Sequence, residues 1–254
     1  MSYSTMRACA EAGLTAANAL FVVTYLLLVW NLMARSNEVA LVVFEHLHWK
    51  NDCLEVDTFI TKMDQRAKKK SQKHVYANPL NPMLCPILSL GLYLLDHPTP
   101  SEHNAAHFLF PPAKKKKNKK QPTMSSTFLS ALRILVGVAA LMLNVTLEIA
   151  KLGAHSLRKG GVTYATGGST MAPSIIAILL RAGWSVKGVE GRYFKFENAM
   201  DQFLGRVICG HNLNSETFAI LPPFFICSND TEHGVVNGGE IFSYFLLIFN
   251  KKKR

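Results

Sequence analysis

One stretch limits the possible folds more than any other: the apolar run from Leu14 to Met33, whose uninterrupted part, Ala19 to Trp30, is twelve residues long with Asn18 and Asn31 at its flanks. Twelve residues rise roughly 18 Å as a helix, well short of the ~30 Å of a bilayer's hydrocarbon core. The run therefore predicts a helix buried on all sides inside a globular domain. It starts too late for a signal peptide, and no small-residue cleavage site of the Ala-x-Ala kind follows it. A central helix of this kind needs other layers around it, and 49% hydrophobic content over 254 residues is enough to build them.

The elements that would supply those layers can be read in order. A short helix is expected at about residues 37–44. Two strands, His46 to Trp49 and Cys53 to Lys62, are joined by the polar turn Lys50-Asn51-Asp52. In the longer strand Leu54, Val56, Thr58, Ile60 and Lys62 share a face by the period-two rule. Residues 66–83, with three adjacent lysines and the Asn78-Pro79 and Asn81-Pro82 breaks, read as a loop. Cys85 to Leu95 is an apolar helix with Pro86 in its first turn. Phe108 to Pro112 reads as a short buried strand or turn. A long helix runs from a cap at Ser125 or Ser126 to about Leu143. Ser156 caps a helix that closes near Tyr164 to Gly168, and Pro173 opens one from Ser174 to Ala182 that Gly183 stops. Asn198 to Cys209 is a further amphipathic helix. Beyond Gly210 the pattern weakens. Residues 228–240 are polar and glycine-rich, and Ile241 to Asn250 is apolar but too short to span a bilayer.

Charge narrows the function. The chain carries a net +11, with lysine clusters at Lys68 to Lys70, Lys114 to Lys120 and Lys251 to Arg254. Clustered cations favour a polyanionic partner, nucleic acid first and an anionic membrane surface second, although any single run can equally be a solvated loop. Lys114 to Lys120 fits a contact to a DNA backbone or a nuclear-import signal. Five scattered cysteines form no Cys-x-x-Cys pair, which argues for a reducing compartment and against a zinc site.

The chemistry concentrates between Gly153 and Phe196. His155 and Arg158 are three apart, a spacing that on a helix shares one face and suits gripping a single anionic group. Trp184 follows Arg158 by twenty-six residues, and Tyr193 follows Trp184 by nine. The tyrosine supplies a hydroxyl able to attack a gripped phosphorus, and the tryptophan an N–H donor on a flat apolar ring. Taken singly, each residue has an ordinary structural reading: core aromatics, a satisfied histidine, a lysine at a strand end, and a surface ion pair between Arg35 and Glu38.

Together and in order, His155-Ser156-Leu157-Arg158, Gly183-Trp184 and Tyr193 resemble the C-terminal signature of the tyrosine recombinases of phage-integrase type. The surrounding residues are similar to the transposon branch called Cryptons. The resemblance covers roughly residues 19–222. It implies a mainly α fold with a small antiparallel β-sheet (α+β), the tyrosine recombinase catalytic domain, with a residual segment at 1–18 and an extension at 223–254. It assigns the family's first arginine to Arg35, in an Arg-x-x-Glu pattern, and its lysine to Lys62. The implied activity is DNA breakage and rejoining through a 3′-phosphotyrosine. Arg35 and Arg158 would grip the non-bridging oxygens, His155 would assist proton removal, and Lys62 would protonate the leaving 5′ hydroxyl. Trp184 would donate to the phosphate or close the pocket, and Tyr193 would attack. The resemblance also implies double-stranded DNA as partner, a homo-oligomer on DNA, no membrane, no metal or other cofactor, and a nuclear setting. Family members place a separate helical core-binding domain ahead of the first arginine. Arg35 stands so early that the expectation is a truncated or minimal copy. The competing readings are a catalytically silent, transposon-derived DNA-binding protein, a type IB topoisomerase-like activity and, from another class, a small membrane protein.

Overall fold

The computed structural model describes residues 1–15, 19–50, 52–58, 71–97, 107–111, 123–144, 152–153, 155–167, 172–184 and 198–219. The apolar run forms helix α2 (Leu20–Asn31), and every residue from Val22 to Asn31 is buried. Around it pack α1 (Tyr3–Thr15), α4 (Pro86–Asp96), α5 (Met124–Leu143), α6 (Ser156–Gly167) and α8 (Asn198–Cys209). A helix without a polar face must be enclosed in this way. Some of its polar groups find partners: Thr24 bonds Ser89 through its hydroxyl at 2.7 Å, and Asn31 Nδ2 donates to Leu27 O at 2.9 Å, whereas Trp30 Nε1 and Asn31 Oδ1 are buried with no hydrogen-bond partner among the described residues.

The sheet has three antiparallel strands in the order β1 (Leu47–Lys50), β2 (Cys53–Thr58), β3 (Ser71–Val75). Leu54 pairs with Val75 and Thr58 with Ser71. The third strand is a correction, because it lies where the sequence reads as a loop. Ser71-Gln72-Lys73-His74 lacks the apolar alternation of a half-buried strand. Lys73 and His74 are nevertheless buried, since other elements supply their polar partners. The same satisfaction explains β2, where Leu54 and Val56 are buried on one face and Glu55 and Asp57 on the other.

The smaller differences have local causes. The first short helix, α3, spans only Ser36–Ala40, followed by a 3₁₀ turn at Phe44–His46. Helix α5 is capped by Thr123, whose hydroxyl accepts from Ser126 N at 3.2 Å, rather than by Ser125 or Ser126. Ser125 points inward and donates to the Ser36 hydroxyl at 2.8 Å. The residues ahead of the apolar run form α1, with Met6, Cys9, Ala10 and Ala12 in the core. Cys9, Cys53, Cys85 and Cys209 are buried, and none of these four forms a disulfide.

Helix α5 is long and apolar enough, by length and composition, to cross a membrane over Met124–Met142, with mean hydropathy 1.7 and 33% of that window buried. Its inner face, including Phe128, Leu132 and Val136, packs in the core, while Ile134, Leu141 and Met142 are exposed.

A candidate anion site on a buried arginine

Two chain turns deliver the cations. Helix α2 ends in a left-handed turn at Met33 (φ 45°), with Ala34 N donating to Val29 O and Met33 N to Trp30 O. Glycine is the usual occupant of this position, so a methionine there is held by its surroundings. The turn leads directly into Arg35, whose extended backbone starts α3. Glu38 accepts the Arg35 backbone N–H at 2.9 Å and its Nη1 at 2.7 Å, which orients the guanidinium from one side. Tyr25 of α2 anchors α3 by donating to Ser36 O at 2.5 Å.

Arg158 lies in the first turn of α6. It is 3% exposed, and among the described residues its Nε and Nη2 are buried with no hydrogen-bond partner. Burial, the charge of Arg35 and, in opposition, Glu38 together hold its pKa below the ordinary guanidinium value. A buried guanidinium with idle donors is costly, because each N–H has given up water for nothing. Such a group fits a bidentate anion that arrives from outside.

Trp184 stands over it. Helix α7 (Ile175–Arg181) begins with Ser174, whose hydroxyl accepts from Ala177 N. It ends at Gly183, whose φ of 63° suits a residue without Cβ. Gly183 N donates to Leu180 O and Trp184 N to Leu179 O, both at 2.9 Å, the double closing bond of such a helix end. This fixes Trp184 so that its ring centroid is 5.3 Å from the Arg158 guanidinium carbon. The ring shields one side of the cation and remains 36% exposed at the mouth.

The other assigned residues stand differently. His155 is exposed just ahead of α6, and its carbonyl accepts from Lys159 N at 3.0 Å. The shared helix face expected for His155 and Arg158 is thus divided between solvent and interior. Lys62 and Tyr193 lie outside the described residues. The structure brings together Arg35, Arg158 and Trp184.

Behind the site lies a buried polar network that sequence reasoning missed. Arg181 is fully buried and donates to Asn31 O (2.8 Å), to His74 O (2.8 Å) and to the Asp201 carboxylate. Asp201 also accepts His74 N at 2.7 Å and lies 2.8 Å from His74 Nδ1, while His74 Nε2 is 3.1 Å from Glu55. Burial alone would raise the Asp201 carboxyl, but Arg181 and His74 hold it below the ordinary carboxylate value. Helix α8 reaches β3 at Gly205, where an added Cβ would meet His74 O at 2.5 Å.

Lys73 completes the group. It is 5% exposed, and its Nζ donates to Leu32 O at 3.0 Å. Burial, with smaller effects from Glu38, Arg181, Asp201 and Arg158, lowers its pKa to about 8 from an ordinary 10.5. Between those values the unfolded chain holds a proton that the folded chain has released, so this group's contribution to stability rises with pH. Wild type relative to Lys73→Met should therefore gain on the order of 2–3 kcal/mol between about pH 7 and pH 10, read by urea denaturation at each pH. The Cys9 and Cys53 thiols and the Tyr25, Tyr93 and Tyr164 phenols, all pushed up to about 12 by burial, oppose this in both proteins and cancel in the difference. A difference that stays flat with pH would contradict the buried charge.

No family model and no curated protein matches the sequence. Among solved structures, the chain is similar to the XerH site-specific recombinase bound to palindromic difH substrate in a post-cleavage complex, with TM-score 0.48 and 14% identity, covering 82% of this chain and 48% of that one. It is similar also to XerH bound to difH substrate in a pre-cleavage complex, with TM-score 0.46 and 14% identity, covering 82% of this chain and 49% of that one. The chain spans about half the length of these solved recombinases.

Proposed function

We propose that this chain is a tyrosine recombinase catalytic domain that breaks and rejoins double-stranded DNA through a 3′-phosphotyrosine. The observation that carries the reading is the Arg158 guanidinium, buried with two idle donors beside Arg35 and beneath Trp184. A phosphodiester oxygen supplies the acceptors these donors lack. As charge gathers on the phosphorus oxygens in the transition state, the two arginines hold it in place. Tyr193 attacks the phosphorus, its phenolic proton passing toward His155, and the 5′ oxygen leaves with a proton from Lys62. The roles of Tyr193, His155 and Lys62 follow from the motif order. The phosphotyrosine conserves the bond, so a second 5′ hydroxyl reseals the strand without ATP. The lysine clusters suit the flanking duplex, and a homo-oligomer on DNA and a nuclear setting belong to the same reading.

Incubation with a nicked suicide duplex should yield a covalent protein–DNA species, and Tyr193→Phe should abolish it while duplex binding stays within roughly twofold. Equal yield from Tyr193→Phe would remove the tyrosine mechanism. Salt-dependent duplex binding with no covalent species from either protein would favour the silent DNA-binding alternative.

A further inference from the structure

We propose that Lys73 is a positioning residue of this anion pocket, fixing from beneath the turn that delivers Arg35 and adding a third cation to the field of Arg35 and Arg158. The inference deepens the function proposed above and rests on the anion-site reading of the two arginines.

The geometry starts at the end of α2. Its closing bonds use the Val29 and Trp30 carbonyls, which leaves Asn31 O and Leu32 O pointing out of the helix. Both are taken by buried cations, Asn31 O by Arg181 and Leu32 O by Lys73. Cations at a helix C-terminus also complement its dipole. Leu32 is followed by the left-handed Met33, then Ala34, then Arg35, so the Lys73 bond grips the turn three residues ahead of the guanidinium. Lys73 is itself held by the pairing of its strand, opposite Val56 of β2. Rigid sheet, turn and arginine are thus linked through one hydrogen bond.

Among the described residues Lys73 has donors to spare. An ammonium offers three N–H bonds, and the hydrogen-bond partner found for Nζ is Leu32 O. The charged groups that act on it are Glu38 of α3, Arg181 of α7, Asp201 of α8 and Arg158 of α6. Two of the four are cations, and Arg158 has idle donors of its own. Among the described residues the interior beside the pocket therefore holds more donors than acceptors at Lys73 and Arg158, which an arriving anion relieves. An anion on Arg158 is felt at Lys73, and by linkage the state of Lys73 is felt by the anion.

The test uses sulfate, which keeps its charge across the relevant pH range, and follows the Arg158 Nε–H signal by NMR, so that loosely held ions on the lysine runs do not count. Carboxylates and guanidiniums ordinarily titrate far outside the interval from about pH 7 to pH 9. The Met1 amine donates to Ser156 O at the start of α6 and is held below its ordinary value by burial and Lys159. Its titration is common to every variant compared. Wild type should bind sulfate roughly tenfold more weakly at about pH 9 than at about pH 7. Lys73→Met should bind at the weaker level throughout, and Lys73→Arg should bind without the alkaline loss. Should Lys73→Met fail to fold, Lys73→Arg decides: a wild-type pH profile in that variant overturns the proposal. So does wild-type affinity in a folded Lys73→Met. Sulfate binding that ignores Lys73 leaves the anion site standing, whereas no sulfate binding to the wild type removes that site and this proposal with it.

Discussion

Arg158→Ala is expected to lose covalent capture of a nicked duplex by on the order of 10³-fold, with thermal stability unchanged or raised. The two halves of this result belong together. A side chain that supports the fold loses stability when truncated, because its partners are left behind. Arg158 Nε and Nη2 have no hydrogen-bond partner among the described residues, so truncation removes a desolvated charge at the cost of the contact with the partly exposed Trp184 ring and leaves no partner of those two donors behind. Single-turnover kinetics and a melting curve on the same preparation measure both halves. Arg158→Lys should recover little of the rate, since a point charge cannot replace a planar fork. An alanine variant that unfolds would make Arg158 a structural residue. One that reacts at the wild-type rate would take it out of the chemistry.

Asp201→Ala should show the opposite pattern, with a stability loss of about 3–5 kcal/mol, a large share of the roughly 5–15 kcal/mol that holds a domain folded. Asp201 accepts from Arg181 and from the His74 backbone and lies against the His74 ring, all of them buried. Its removal leaves Arg181 charged in the interior and frees the contact between α8 and β3. Urea denaturation of Asp201→Ala beside Asp201→Asn reads the effect, with the asparagine variant intermediate because it keeps an acceptor but not the charge. A loss below about 1 kcal/mol for alanine would show that the network is not holding these elements together.

The contrast between the two residues also explains what could be read in the sequence. Apolar pattern and stop signals located α2, α4, α5 and α7 to within a residue or two, because Ala19 to Trp30, Pro86, Ser174 and Gly183 act through local geometry and burial. Strand β3 was hidden for the converse reason: Lys73 and His74 are interior only because Leu32, Asp201 and Glu55, remote along the chain, satisfy them. No local pattern encodes such pairings. Helix α1 was hidden by its small residues, Ala8, Cys9, Ala10 and Ala12, which bury well but make a faint apolar stripe. For the site, motif order singles out Arg35, Lys62, His155, Arg158, Trp184 and Tyr193; the fold brings Arg35, Arg158 and Trp184 together and leaves His155 exposed, while Lys62 and Tyr193 lie outside the described residues. Motif order could not mark Arg181 as architectural, although both arginines are equally hidden from solvent.

The closing turn of α7 has a wider consequence. Arg181 on its last residue locks into the interior, and Trp184 three positions on leans over Arg158, so one short segment ties the floor of the pocket to its roof. A segment tied at both ends in this way keeps Trp184 and Arg181 from shifting toward the Arg158 donors. On the proposed reading, a docking phosphate would meet dipoles and charges that have nowhere further to move.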